Sequence, residues 1–149
     1  MVQMTLRTLF LAGLPLIVLI SGTVSWGQEA NGVPGDEKVA RGKYLAEEVA
    51  HCQDCHTPKT ERGDFIKSQW MKGATLDVMS AVSLPNWRSK SPDITSTSAL
   101  FTRWNVEGMV KFLETGKNPR GNKGGPPMPA YNLKREDAEA IVAYLKSLP

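Results

Sequence analysis

The chain has few of the residues that hold metals or carry out thiol chemistry. Two cysteines and two histidines occur among its 149 residues, and all four lie between positions 51 and 56. Structural zinc sites usually join two pairs of ligands that are a dozen or more residues apart, and the sequence offers no second pair. It also has no internal repeat, and no strand pattern precedes the cysteines. These absences argue against a zinc domain, a repeat protein and a thioredoxin-like sheet.

A strong excess of one charge is also lacking. Lys and Arg number 18 and Asp and Glu number 15, which gives a net charge of +3. Residues 1–27 hold one basic residue and no acidic one, so the rest of the chain carries about +2. Nucleic-acid-binding domains need a clustered basic face, and this composition therefore gives no support for a nucleic-acid partner.

Residues 1–27 are predicted to be a secretory signal peptide. The segment has a positive start at Arg7, an apolar run over residues 9–20 and small residues before a cleavage point after Gly27. A bilayer span needs about 20 apolar residues, whereas this run is shorter and contains Pro15. We therefore expect export, with membrane attachment only if the segment is not cleaved.

The four scarce residues belong to one segment that contains Cys52-Gln53-Asp54-Cys55-His56. The C-x-x-C-H spacing is typical of c-type haem attachment. Two thiols add to the vinyl groups of the porphyrin, the spacer sets their separation, and the next residue presents an imidazole to the iron. One such motif predicts one haem. A redox-active thiol pair, a metal site and a structural disulfide are the alternatives, although the disulfide leaves His56 unexplained.

For the rest of the chain, the sequence predicts a flexible tether over residues 28–35 and one domain over residues 36–149. Apolar residues recur every three or four positions in three segments, which predicts helices over residues 36–50, 105–115 and 135–148. Residues 57–103 lack this periodicity. An irregular segment of that length is unusual in a compact domain, but a bound haem would supply an apolar core for it.

Two single residues break these patterns. Gly42 lies on the apolar stripe of the first helix, where glycine costs up to about 1 kcal/mol. A close approach by another helix would explain it, and a tolerated glycine is the alternative. Met128 lies in the loop 117–131 among three prolines, which hold it outside any helix or strand. Other methionines that compete with it as a functional residue are Met71, Met79 and Met109.

Five short sequence motifs occur along the chain in an order that is typical of a known protein family. They are Arg41-Gly42-Lys43-Tyr44-Leu45-Ala46 before Cys52, Cys55-His56-Thr57-Pro58, Pro92-Asp93-Ile94-Thr95 followed by Trp104, Pro127-Met128-Pro129-Ala130-Tyr131, and Ile141-Val142-Ala143-Tyr144-Leu145-Lys146-Ser147-Leu148-Pro149. In this order they resemble the class I c-type cytochromes. The resemblance is narrower to bacterial periplasmic cytochromes and to the cytochrome subunits of alcohol, aldehyde and gluconate-type dehydrogenases.

The resemblance implies an all-α class I cytochrome c fold, with three to five helices packed around one covalently attached haem c. It implies that Cys52 and Cys55 are the thioether anchors and that His56 and Met128 are the axial iron ligands. Trp104 is implied to lie near the haem propionates.

The resemblance also implies that the first and last helices cross, which would explain Gly42. The sequence departs from the family pattern twice. Leu100-Phe101-Thr102-Arg103 replaces a glycine-rich turn before the tryptophan, and Lys134 replaces the usual Ser or Thr cap of the last helix.

The function implied by the resemblance is electron transfer in the periplasm, without catalysis by this chain. The haem would cycle between Fe(III) and Fe(II), from a dehydrogenase-type donor to an oxidase or another cytochrome. Lys117, Arg120 and Lys123 lie near Met128 in sequence and would steer an acidic redox partner, unless they form only a solvated loop. Alternative functions are a haem enzyme or gas-binding sensor with a displaceable distal ligand, and a thiol-disulfide oxidoreductase.

Overall fold

The computed structural model describes residues 34–149. The predicted signal peptide and residues 28–33 of the predicted tether lie outside the described residues. Four α-helices follow one another as α1 (Pro34–Tyr44), α2 (Cys52–His56), α3 (Ala99–Thr115) and α4 (Arg135–Ser147). A π-helical segment, Leu45–Val49, continues α1, and a short 3₁₀ turn covers Lys67–Gln69. In this part of the chain, β structure is limited to isolated bridges.

The helices α1 and α4 cross with their backbones in contact at Gly42. A Cβ atom on Gly42 would lie 1.8 Å from the carbonyl oxygen of Ala140 and 2.9 Å from Cβ of Tyr144. Ala46 and Ala138 are fully buried in the same core. Lys38 Nζ donates a 2.7 Å hydrogen bond to Glu139, which adds a link between the two helices. Gly42 therefore has the packing role that the sequence left open.

The helix α3 is built from two parts that meet at Asn105. Asn105 has φ 55° and ψ −177°, and its Oδ1 accepts a 3.0 Å hydrogen bond from the Gly108 N–H. Asn105 thus caps the second part, which corresponds to the helix predicted over residues 105–115, and Gly116 ends it with φ 66°. The first part was not predicted: Ser98 Oγ accepts from the Phe101 N–H and starts a helix at Ala99. The irregular segment therefore ends at Ser98, five residues earlier than expected.

The other helix starts differ little from the predictions. The helix α1 begins at Pro34, within the predicted tether, and α4 begins at Arg135 although Lys134 provides no side-chain cap. Glu136 and Asp137 in the first turn of α4 complement the helix dipole instead. None of the helices between residues 34 and 149 is long and apolar enough to cross a bilayer.

Tyr144 joins α4 to two other parts of the fold through its hydroxyl. Trp70 Nε1 donates a 3.1 Å hydrogen bond to Tyr144 Oη, and the hydroxyl donates to the carboxylate of Glu47 in the π-helical segment. Burial, together with the hydrogen bond to Glu47, raises the pKa of Tyr144. The phenol therefore stays protonated and serves as donor and acceptor at once.

Tyr144→Phe is expected to lower the free energy of unfolding by about 1–3 kcal/mol, because Trp70 and Glu47 both lose a hydrogen-bond partner at a partly buried site. Urea denaturation of the haem-loaded protein, followed by circular dichroism, measures the change. Tyr44→Phe is the matched control because Tyr44 is 59% exposed, and its effect is expected to stay within about 0.5 kcal/mol. Equal losses in the two variants would contradict a role for the Tyr144 hydroxyl.

Candidate functional site

The two cysteines share the short helix α2. His51 adopts a left-handed conformation (φ 50°, ψ 41°) after the π-helical segment, and Cys52 begins the new helix. Residues three apart on a helix lie on the same face, so Cys52 and Cys55 point in similar directions. Both are free thiols and are half-buried. His51 is exposed.

His56 ends α2 as a buried imidazole with one nitrogen already occupied. Its side chain lies 5% exposed, and its Nδ1 is 2.8 Å from the carbonyl oxygen of Pro92. Because a carbonyl can only accept, Nδ1–H is the donor and the lone pair stays on Nε2. Burial also lowers the pKa of His56, which keeps the ring neutral near pH 7. A neutral imidazole with a free Nε2 is the form that binds a metal.

Two loop segments, at Gly73 and at Ser91, form hydrogen bonds with the end of α2. The Gly73 N–H donates to the His56 carbonyl at 2.8 Å, and the Ser91 hydroxyl donates to the Cys55 carbonyl at 2.5 Å. Gly73 has φ 85°, and a Cβ there would lie 2.7 Å from the Ser91 carbonyl oxygen. Two loop segments thus enclose the end of α2. The only sequence feature that indicated a role for this region was the motif Pro92-Asp93-Ile94-Thr95.

Met128 is half-buried in the loop 117–131, named here the distal loop. Its N–H donates to the Gly125 carbonyl at 3.2 Å. A Cβ on Gly124 would lie 3.0 Å from the ring of Phe112 and 3.9 Å from Cγ of Met128. The distal loop therefore packs closely on the second part of α3, next to the Met128 side chain.

The competing methionines occupy different environments. Met71 is fully buried beside α2, where its N–H donates to Thr57 Oγ1 at 3.0 Å. Met109 is 5% exposed and belongs to the core, whereas Met79 is 91% exposed. Met128 is thus the candidate that is both partly accessible and held in a proline-rich loop.

Tyr131 ties the end of the distal loop to the segment before α2. Its hydroxyl donates a 3.1 Å hydrogen bond to the carbonyl oxygen of Ala50. Burial is the main reason that the pKa of Tyr131 is raised to about 12, and negative charge on Cys52 and Cys55 adds to the effect. Burial would remain if both cysteines were uncharged thioethers, so we expect the pKa of Tyr131 to stay raised in that form.

This raised pKa predicts a loss of stability at alkaline pH. Because its pKa is higher in the folded state, protonated Tyr131 stabilises the fold at pH values below its ordinary pKa of 10.0. This contribution is lost as the pH rises towards about 12. The urea midpoint of the wild type is therefore expected to fall more steeply above about pH 10 than that of Tyr131→Phe. Parallel pH profiles of the two proteins would show that Tyr131 does not carry this dependence.

Trp104 lines a cleft whose charged side chains are basic. Its ring centroid lies 5.2 Å from that of Phe112. The cleft, of about 810 Å³, lies between the first part of α3, the distal loop and residues 86–88. We name it the cationic cleft after four of its lining residues: Arg88, Arg103, Arg120 and Lys123. The predicted cluster is only partly present, since Lys117 does not line the cleft and two arginines come from distant segments.

The alternatives to haem attachment fit this site poorly. Burial raises the pKa of Cys52 to about 11, whereas a redox-active thiol needs a lowered pKa. Between residues 34 and 149, no group of three or more His, Cys, Asp or Glu side chains is placed to hold a metal ion. The two cysteines do not form a disulfide. Two free thiols at the attachment spacing, followed by an oriented imidazole, fit a covalently bound haem.

These features define a c-type haem-binding domain. The family model for cytochrome c matches residues 39–149, and the chain belongs to the cytochrome c family. The class I fold predicted from the resemblance is thereby confirmed, as is the resemblance itself. Members of this family carry covalently bound haem c.

Relatives with known names agree with this assignment. The chain is 32% identical over 136 residues to a diheme cytochrome c-type protein of Cereibacter sphaeroides, which covers 88% of this chain and 41% of the relative. It is 32% identical over 115 residues to the fructose dehydrogenase cytochrome subunit of Gluconobacter japonicus (73% and 22%). It is 31% identical over 119 residues to the cytochrome c subunit of a quinone alcohol dehydrogenase of Gluconobacter oxydans (76% and 24%). The match spans less than half of each relative.

Proposed function

We propose that this chain is a periplasmic electron carrier with one haem c, attached through Cys52 and Cys55 and ligated by His56 and Met128. The observation that carries the proposal is the His56 imidazole, which follows two free thiols and whose Nδ1–H is bound by Pro92. One C-x-x-C-H motif supports one haem. The apolar N-terminal segment supports export, and bacterial c-type cytochromes acquire their haem outside the cytoplasm.

The protein residues would hold the cofactor and set its properties. The haem, when bound, supplies an iron that alternates between the ferric and ferrous states. The Met128 thioether would be a soft ligand that favours ferrous iron and so raises the reduction potential. The Pro92 carbonyl fixes the His56 ring, while the prolines and Tyr131 hold the distal loop. If His56 and Met128 both bind the iron, no coordination position would remain for a substrate.

The names of the relatives support a dehydrogenase-type electron donor. Two of them are cytochrome subunits of a fructose dehydrogenase and a quinone alcohol dehydrogenase. A third is the cytochrome c subunit of a gluconate 2-dehydrogenase. We infer that this chain accepts electrons from an oxidoreductase of that kind and passes them to an oxidase or another cytochrome, without catalysing the oxidation itself.

Carbon monoxide binding to the dithionite-reduced, haem-loaded protein tests the proposal. No spectral change is expected near neutral pH, because Met128, held by the distal loop, would occupy the position that carbon monoxide needs. Met128→Ala serves as the positive control and should bind carbon monoxide at once. Rapid binding by the wild type would contradict the electron-carrier proposal and favour a gas-binding protein.

A further inference from the structure

We propose that Asp93 lowers the reduction potential of the haem-loaded protein, as a fixed negative charge on the Nδ1 side of His56. Asp93 would act through His56 without contacting the iron, which makes it a positioning residue rather than a ligand. This inference rests on the proposed electron-transfer function and adds a residue that sets the driving force for that transfer.

Asp93 directly follows the residue that binds His56. The Pro92 carbonyl oxygen accepts the His56 Nδ1–H at 2.8 Å, and Asp93 is the next residue in the chain. Burial lowers the pKa of His56, whereas the hydrogen bond to Pro92 and the negative charge of Asp93 raise it. The carboxylate is therefore close enough to the imidazole to change its electrostatic environment.

The Asp93 carboxylate is fixed by the turn that it forms. Its Oδ1 accepts hydrogen bonds from the Thr95 N–H at 2.7 Å and from the Thr95 hydroxyl at 2.8 Å. Thr95 is fully buried, so the two donors are held by the core. The residue between them is also held, because the Ile94 N–H donates to the Met71 carbonyl at 3.0 Å. The charge therefore keeps one position relative to His56.

Within residues 34–149, no salt bridge neutralises the charge of Asp93. A bound haem would supply no cation at its edge, because the propionates are themselves anionic. Asp93 is half-buried, and closer packing around a haem would exclude more water from it. Charges interact more strongly where water is excluded, so the effect of Asp93 would grow with haem binding.

The charge of Asp93 would act on the redox equilibrium of the iron. Ferric iron carries one more positive charge than ferrous iron, so a nearby negative charge stabilises the ferric state more. A carboxylate near the Nδ1–H also raises the basicity of the imidazole, which favours the ferric state in the same way. Asp93 would thus oppose the rise in potential that the Met128 thioether would cause. The carrier would then pass its electron to an acceptor more readily.

Redox titration of the haem-loaded protein tests this role with three variants of Asp93. Asp93→Asn removes the charge, while its amide oxygen can still accept both hydrogen bonds from Thr95. Asp93→Ser is a second neutral variant, whose hydroxyl can accept from the Thr95 N–H. Asp93→Glu keeps the charge. The matched control is Asp36→Asn, which removes an exposed carboxylate from α1.

Both neutral variants are expected to raise the reduction potential. At a fixed applied potential, the ratio of ferrous to ferric protein should rise by roughly three- to tenfold, where tenfold corresponds to about 59 mV for one electron. The rise should persist at high salt, because a half-buried charge is screened little. Asp93→Glu and Asp36→Asn should stay close to the wild type.

An unchanged potential in both neutral variants, or an equal rise in Asp36→Asn, would overturn the role of Asp93. An equal rise in Asp93→Glu would also overturn it, because the geometry of the turn and not its charge would then be the cause. A shift accompanied by loss of the weak red sulfur-to-iron band would count against it in the same way, since the distal ligand would have changed. A wild type without a reversible one-electron couple would contradict the proposed function and this inference together.

Discussion

Replacement of Met128 by alanine is expected to lower the reduction potential by on the order of 100 mV, a part of the roughly 0.8 V that axial ligands control. The substitution removes the proposed thioether ligand, which would favour ferrous iron. The oxidised haem should also change from low spin to high spin, with loss of the weak red sulfur-to-iron band. Redox titration and visible spectroscopy of the haem-loaded protein measure both effects.

Two other methionine variants control this experiment. Met79→Ala removes an exposed thioether from the loop 76–89, and Met71→Leu replaces a buried one beside α2. Both should retain the wild-type potential and the red band. A wild-type spectrum in Met128→Ala, or loss of the band in Met71→Leu, would remove Met128 from the proposed ligand set.

Gly42→Ala is expected to lower the free energy of unfolding by about 3 kcal/mol or more, which is at the upper end for overpacked sites. The new Cβ would lie 1.8 Å from the Ala140 carbonyl oxygen, and that oxygen belongs to the backbone of α4. A flexible side chain could move aside, but here the two helices must separate. Urea denaturation of the haem-loaded variant, followed by circular dichroism and haem absorbance, measures the loss.

Gly35→Ala is the matched control for this prediction. Gly35 lies in the same helix, and a Cβ there would have no atom within 4 Å. Its substitution is expected to change stability by less than about 1 kcal/mol, with alanine favoured by its helix propensity. Similar losses at the two positions would mean that the α1–α4 contact at Gly42 is not the cause.

The regular helices could be predicted from the sequence because their apolar faces are continuous. The positions of α4 and of the part of α3 after Asn105 were predicted correctly, because buried residues recur there with helical spacing. It missed the part of α3 before Asn105, because that helix starts from a Ser98 cap rather than from an apolar stripe. The π-helical segment and the left-handed His51 were also missed, since neither changes the hydrophobic pattern.

The candidate site could be predicted only where its chemistry is local in sequence. Cys52, Cys55 and His56 form one motif, because the proposed haem attachment and axial ligation would both use the same turn of chain. The partner of His56 is Pro92, 36 residues away, and only the folded chain brings the two together. The cationic cleft likewise joins Arg88 and Arg103 to the distal loop. No spacing rule relates residues that meet through separate loops.

Proton–carbon NMR of the reduced, haem-loaded protein with ¹³C-labelled methionine methyl groups tests the central claim most directly. A methionine bound to haem iron lies over the porphyrin ring, whose current shifts its methyl signal far upfield. We predict one such signal, which is lost in Met128→Leu and retained in Met71→Leu. An upfield signal that survives Met128→Leu, or a wild-type spectrum without one, would contradict ligation of the iron by His56 and Met128.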